Sequence, residues 1–192
     1  TDNTVFVYDT TNNKVVALYD DGANSSYLTA AVGTISGTSI SWGTPVVADA
    51  QTMDSGDRNF HAAFDETAGK IVVGYSGSAG KGTCIIGTVS GTTTTWGDEV
   101  EFNLSTTDHF GVAYSPDQGK CILVYRDAGN NSYGTAVPVS ISGTTPTIGT
   151  EVVYNSAVSY YNRAAFDHTS GQFVVAYQNG SGGSGQVKGG NL

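Results

Sequence analysis

The chain has 192 residues, 39% hydrophobic and only 13% charged, with 26 glycines, four prolines and a formal net charge of −9. This is enough apolar material for the core of one domain. The acidic balance excludes the basic footprint of a nucleic-acid binder. No apolar run reaches the ~18 residues of a spanning helix and no charged-then-apolar leader opens the sequence, so no membrane insertion is expected.

In chain order, a first strand closing on Tyr8 is followed by the turn Asp9-Thr10-Thr11-Asn12-Asn13 and the apolar run Val15-Val16-Ala17-Leu18-Tyr19. After a polar loop, a third strand reaches Ser36-Gly37-Thr38 and a fourth carries Trp42. The second unit repeats this order. Phe60 to Asp65 is strand one, Glu66 to Lys70 a tight turn, Ile71 to Tyr75 strand two, Thr83 to Ser90 strand three, and about Thr95 to Phe102 strand four. The third unit places Tyr114, the turn Ser115-Pro116-Asp117-Gln118-Gly119, the run Cys121 to Tyr125 and Ser142-Gly143-Thr144 in the same sequence. The fourth has Phe166, Asp167-His168-Thr169-Ser170-Gly171 and Phe173 to Tyr177, then a Gly/Ser tail with room for one weak third strand.

The closing tyrosines at 19, 75, 125 and 177 and the aromatics at 8, 64, 114 and 166 advance by the same steps of 56, 50 and 52. A period near fifty residues with four strands per unit predicts an all-β, four-bladed propeller of antiparallel blades, the last incomplete. The whole chain is then one repeat domain, with units at about 1–56, 57–106, 107–158 and 159–192. Continuously apolar second strands predict burial on both faces, and the small pairs Ala62-Ala63, Val112-Ala113 and Ala164-Ala165 suit first strands crowded about an axis. Each turn opens on a short polar side chain that bonds backbone amides and ends with Gly or Asn at positive φ. Trp42 and Trp96, with Ile148 in the third unit, read as packing residues at one strand-four position. Cys84 and Cys121 lie in apolar runs and are expected as buried free thiols. The short fourth unit leaves a compact ring, completion by another chain, and a longer array all open.

Loops after strand two and the linkers Ala48 to Asn59, Asn103 to His109 and Tyr154 to Asn162 are expected to share one face. There, Asp57, Arg58, Asn59, Asp108, His109, Arg126, Asp127, Tyr160, Tyr161 and Arg163 are the candidate ligand-binding set, because a sugar needs an aromatic face and hydrogen bonds to its hydroxyls. The recurring acids Asp9, Asp65 and Asp167 read as turn residues, since a catalytic carboxylate pair needs to occur only once. Neither Asp127 with Asn130 nor Asp20 with Asn24 has dense calcium-loop spacing. The three histidines share no zinc spacing. No nucleophile elbow, phosphate loop or dinucleotide fingerprint is present, so no catalytic residue, metal or cofactor is expected.

The unit Tyr125-Arg126-Asp127-Ala128-Gly129-Asn130-Asn131-Ser132-Tyr133-Gly134-Thr135-Ala136, with its Ser-Gly-Thr and Trp-Gly-Thr companions, resembles tandem repeats of bacteriophage tail-fibre and other virion-surface proteins. Tandem repetition, low charge and the lack of a catalytic constellation point to a non-enzymatic structural and adhesive module, which the resemblance sets on a virion surface or another extracellular appendage. Its implied partners are other copies of itself, other structural proteins, and cell-surface glycans. A propeller-type carbohydrate-active enzyme, with Asp57 or Asp108 as its test residues, and a soluble lectin with one weak site per blade are the alternatives.

Overall fold

Each apolar run that closes on tyrosine is a strand paired on both edges. The computed structural model describes residues 3–53, 59–180 and 182–190. The first unit holds β1 (Thr4–Asp9), β2 (Lys14–Asp21), β3 (Tyr27–Ser36), β4 (Ser39–Trp42) and β5 (Val46–Thr52). The second holds β6 (Phe60–Asp65), β7 (Lys70–Ser76), β8 (Lys81–Ser90) and β9 (Thr93–Trp96). Then come β10 (Val100–Ser115), β11 (Lys120–Asp127), β12 (Tyr133–Ser142), β13 (Thr145–Ile148), β14 (Val152–Asp167), β15 (Gln172–Asn179) and β16 (Gly185–Gly190). All pairings are antiparallel. Single 3-10 turns at Ser78–Gly80 and Ala128–Asn130 are the helical segments among the described residues, and no helix there is long and apolar enough to cross a membrane.

The predicted four-strand unit is present, with a broken fourth strand. In the first unit β4 pairs the far half of β3 and β5 the near half, Gly33 facing Trp42 and Ala30 facing Val46. The turns follow the expected chemistry. Asp9 Oδ1 accepts the amides of Thr11 and Asn12 at 2.9 Å, Asp65 Oδ1 that of Ala68 at 2.9 Å, and Asp167 Oδ1 that of Thr169 at 2.9 Å. Asn13, Gly69, Gly119 and Gly171 close these turns with φ between 54° and 68°, the left-handed region that Gly and Asn enter most readily.

The linkers differ from expectation. Residues 103–109 and 154–162 are strand rather than loop, because β10 and β14 pair backward with β8 and β12 and then forward with β11 and β15. Register shifts at Asp108/Gly111 and Tyr160/Arg163 let one strand bend between two sheets, as an extra bulged residue does. The second to fourth units are thereby hydrogen-bonded into one eleven-stranded sheet beside the five-stranded first. Neither sheet closes on itself.

Consecutive units pack face to face. One core joins Val16, Leu18 and Val32 to Phe60, Ile71 and Ile85; the next joins Val72 and Ile86 to Phe110 and Leu123; the third joins Ile122 and Val124 to Phe173 and Val175. Each such side chain contributes about 1.5–3 kcal/mol on full burial. The middle second strands β7 and β11 are buried on both faces, whereas β2 and β15, in the end units, are partly open. The first strands β1, β6, β10 and β14 lie side by side. Cys84 and Cys121 are buried free thiols in the second core.

Two glycine positions explain motifs that recur. The hairpin turn of one unit seats against the fourth-strand break of the unit before it. A Cβ on Gly43 would lie 1.9 Å from the Thr92 carbonyl oxygen, and one on Gly97 2.1 Å from that of Thr144. Across the blade, Trp42 covers Gly33 and Trp96 covers Gly87, whereas the third unit pairs Ile148 with Val139. Volume moves from one strand to the other and the layer stays filled. The fourth unit lacks this economy. Its Lys188 and Gly190 stand where Val137 and Val139 stand in the third unit, and a cavity of about 220 Å3 opens beside Ile122, Val153 and Phe173.

Candidate functional site

Where β10 and β14 bulge, His109 (φ 55°) and Tyr161 (φ 58°) occupy equivalent left-handed positions. Such a conformation costs about 1–2 kcal/mol for a non-glycine residue and turns its side chain out of the regular alternation. His109 stands edge-on to Tyr160 and Tyr161, with ring centroids 5.3 and 5.2 Å away, and the two tyrosines are 6.2 Å apart. The Arg126 guanidinium lies 4.8 Å from the centroid of Tyr160. Arg126 Nε donates to Asp108 Oδ1 at 2.6 Å and its Nη2 to Oδ2, so the carboxylate is held by both oxygens. The pair is one-fifth exposed and Tyr161 44% exposed, which leaves this surface within reach of a ligand.

Five predicted residues, Asp108, His109, Arg126, Tyr160 and Tyr161, are therefore brought together. The others separate. Arg163 is two residues beyond Tyr161, where its Nη1 donates to the carbonyls of Phe110 at 2.5 Å and Asn162 at 2.8 Å, tying the fourth unit to the third. Asn59 is buried and its carbonyl accepts the Ser76 amide at 2.7 Å. Asp127 follows Arg126 on one strand and so points to the opposite face. Its Oδ1 caps the next turn through the Gly129 amide at 2.9 Å, and it lines a separate polar cavity of about 330 Å3 with Asn103, Asn130 and Glu151. Asp57 and Arg58 lie outside the described residues. Among the described residues no three or more His, Cys, Asp or Glu side chains gather as a metal site would require.

Sequence reasoning missed a second set of polar groups, between units. The Tyr75 hydroxyl is 2.8 Å from Asp49 Oδ2 of the preceding unit and 3.0 Å from Glu99 Oε2 of its own. Tyr125 bonds Glu151 in the same way, with Asn103 in place of Asp49 and 3.4 Å from that glutamate. The signal was available: Asp49, Asn103 and Asn155 advance by 54 and 52, the steps of the Ser-Gly-Thr turns at Ser36, Ser90 and Ser142. Burial and the neighbouring Glu99 hold the Asp49 carboxyl above its usual range, although the Tyr75 bond works the other way. A raised carboxyl pKa means that folding favours the neutral form, so this residue's contribution improves as pH falls and is lost as pH rises through the folded value. Asp49→Asn, which copies Asn103, is expected to stabilise the protein by about 0.5–1 kcal/mol at pH 7, a gain kept small by partial exposure. Thermal melts at pH 7 and 4.5 check this, with the advantage shrinking at the lower pH. A lower melting temperature at pH 7 would show that the ionised carboxylate is needed.

No family model matches the sequence and no curated protein matches it. Among solved structures the fold is similar to exo-β-1,3-galactanase from Phanerochaete chrysosporium, determined with β-1,3-galactotriose. The TM-score is 0.57 at 10% identity, over 93% of this chain and 44% of that one. The chain thus spans less than half the length of that enzyme, and the likeness is one of all-β fold.

What the cluster can do follows from its parts. Tyr160 and Tyr161 offer ring surface, the Asp108–Arg126 pair offers an acceptor and donors fixed in direction, and His109 packs edge-on against both rings.

Proposed function

We propose that the chain is a carbohydrate-recognising module of β-propeller type, made of four consecutive blades, with its sugar site at Asp108, His109, Arg126, Tyr160 and Tyr161. One observation carries the reading: the Tyr160 ring lies against the guanidinium of a carboxylate–guanidinium pair, with the exposed Tyr161 ring next to it. Apolar CH faces of a pyranose stack on such rings, and hydroxyls bond the charged pair. The left-handed backbone at His109 and Tyr161 turns their side chains out of the regular strand alternation and into this cluster.

Binding without turnover is favoured by the state of Asp108. Glycoside hydrolysis needs two carboxyls facing one bond, one of them free to give a proton, whereas both oxygens of Asp108 are occupied by Arg126. The tail-fibre resemblance supplies a setting, an extracellular or virion-surface appendage, and the repeat supplies the scaffold. A lectin with one site in every blade is disfavoured, since position 126 is Asp20, Ser76 and Gln178 in the other units.

The test is titration calorimetry against neutral oligosaccharides, with β-1,3-galactooligosaccharides first in the panel because the structural neighbour was determined with one. One site per chain is expected, with Tyr161→Ala weakening it roughly tenfold, the loss of one stacking contact. Reducing-end release should stay at background. A panel without binding, or a Tyr161→Ala variant that binds as the parent does, would refute the site; sugar release would return the protein to the enzymes.

A further inference from the structure

The two ends of the array are not alike, and each displays a surface that the inner units bury. In the second unit Ala62, Phe64, Ile71, Val73, Ile85 and Val89 face the first unit and are at most 8% exposed. The residues one period earlier are Phe6, Tyr8, Val15, Ala17, Ala31 and Ile35, and no described unit precedes them. Phe6 is 62% exposed, Tyr8 49% and Ile35 54%. At the other end, Ala113, Ile122, Val124 and Ala136 of the third unit are buried against the fourth. Their equivalents in the fourth unit are Ala165, Val174, Ala176 and Val187, again all apolar, with Val187 71% exposed.

We infer that the first-unit face carrying Phe6, Tyr8 and Ile35 docks the fourth-unit face carrying Val187 of a second copy of this chain, in a head-to-tail contact. The argument is internal to the molecule. A face of the first kind meets a face of the second kind three times within the chain, so their complementarity is already displayed. The two ends of one chain do not satisfy each other, because Phe6 and Val187 are both exposed in it. Single exposed apolar residues are ordinary, whereas a cross-strand group on a face built to be covered marks an interaction surface. The row Phe6–Ala17–Ala31 runs across β1, β2 and β3, where the second unit has Ala62–Val73–Ile85. The large residue sits on the first strand here, giving a protruding ring for the partner to cover. Because the two faces differ, the contact is heterologous and adds copies in one direction instead of stopping at a symmetric dimer.

Sedimentation velocity across a concentration series tests this with three proteins: the parent chain, Phe6→Glu and Val187→Glu. Both altered side chains are solvent-exposed, and a thermal melt confirms that each variant is folded. The parent is expected to form species larger than a dimer as concentration rises, and each variant to associate at least roughly tenfold more weakly. An equimolar mixture of the two variants should form dimers and nothing larger, because each retains one intact face. A parent chain that stays monomeric would overturn the inference. So would loss of association in Phe6→Glu with none in Val187→Glu, which would mean that like faces pair.

Discussion

Gly97→Ala is expected to lower stability by about 3 kcal/mol, although it adds one methyl group at a residue with ordinary backbone angles. The added Cβ would meet the Thr144 carbonyl oxygen at 2.1 Å, and backbone, unlike the end of a side chain, has no rotamer to yield. Overpacking of this kind typically costs about 1–3 kcal/mol, and here the alternative is to lift the Ser142-Gly143-Thr144 turn from the preceding unit. For a chain of this length that corresponds to a fall in melting temperature of roughly 6–12 °C. Gly43→Ala, 1.9 Å from the Thr92 carbonyl, should behave alike, whereas Gly185→Ala has no heavy atom within 4 Å and should be nearly silent. Gly149→Ala is the informative intermediate, since its nearest neighbour is the Pro138 ring of its own unit at 2.6 Å. Melts within a degree or two of the parent for Gly43 and Gly97 would mean that the turns do not hold the units together.

The same positions show what was legible in the sequence. Turns are decided by a few consecutive residues, so Asp9, Asp65 and Ser115 with their closing Asn or Gly could be read directly. They fold as read, the Gln118 amide donating to Ser115 Oγ at 3.2 Å. The period located the blades because a packing role repeats with the fold. Strand extent was harder. Asn103 to His109 and Tyr154 to Asn162 are polar enough to look like loops, yet they are strand, because their pairing partners lie elsewhere in the chain and pairing outweighs local preference. The candidate site was legible where the copies differ: Arg126 departs from Asp20 and Ser76, and the structure sets it on Asp108 beside Tyr160. Asp127 was grouped with it by adjacency, and strand alternation sends it to the other face. The propeller expectation holds at the coarser level of an all-β array of repeated units, since closure depends on how the end units meet and no local pattern records that.

Acidification from pH 7 to pH 4 is expected to cost up to about 3 kcal/mol through one residue, His61. It lies on β6 among the first strands, where its Nδ1 accepts the Val112 amide at 3.1 Å and so joins the second unit to the third without a backbone ladder. A neutral imidazole offers that acceptor and an imidazolium does not. Burial, and then the Arg163 guanidinium, push its pKa down to about 4 from an ordinary 6.5. Because the folded value is depressed, the unfolded chain binds the proton first. Stability is therefore complete above about pH 6.5 and is lost as pH falls toward 4, by at most ~1.4 kcal/mol per pH unit. Asp49 and Asp65, whose carboxyls burial holds above their usual range, act in the opposite sense as pH approaches 4 and blunt the end of the fall. His61→Gln isolates the effect, since its neutral amide oxygen preserves an acceptor across the range. Urea midpoints at pH 7, 6, 5 and 4.5 should fall for the parent and stay nearly level for the variant through pH 5, while the imidazole resonances place the folded pKa directly. Parallel slopes, or an imidazole titrating near 6.5, would show that His61 is not the link between these two strands.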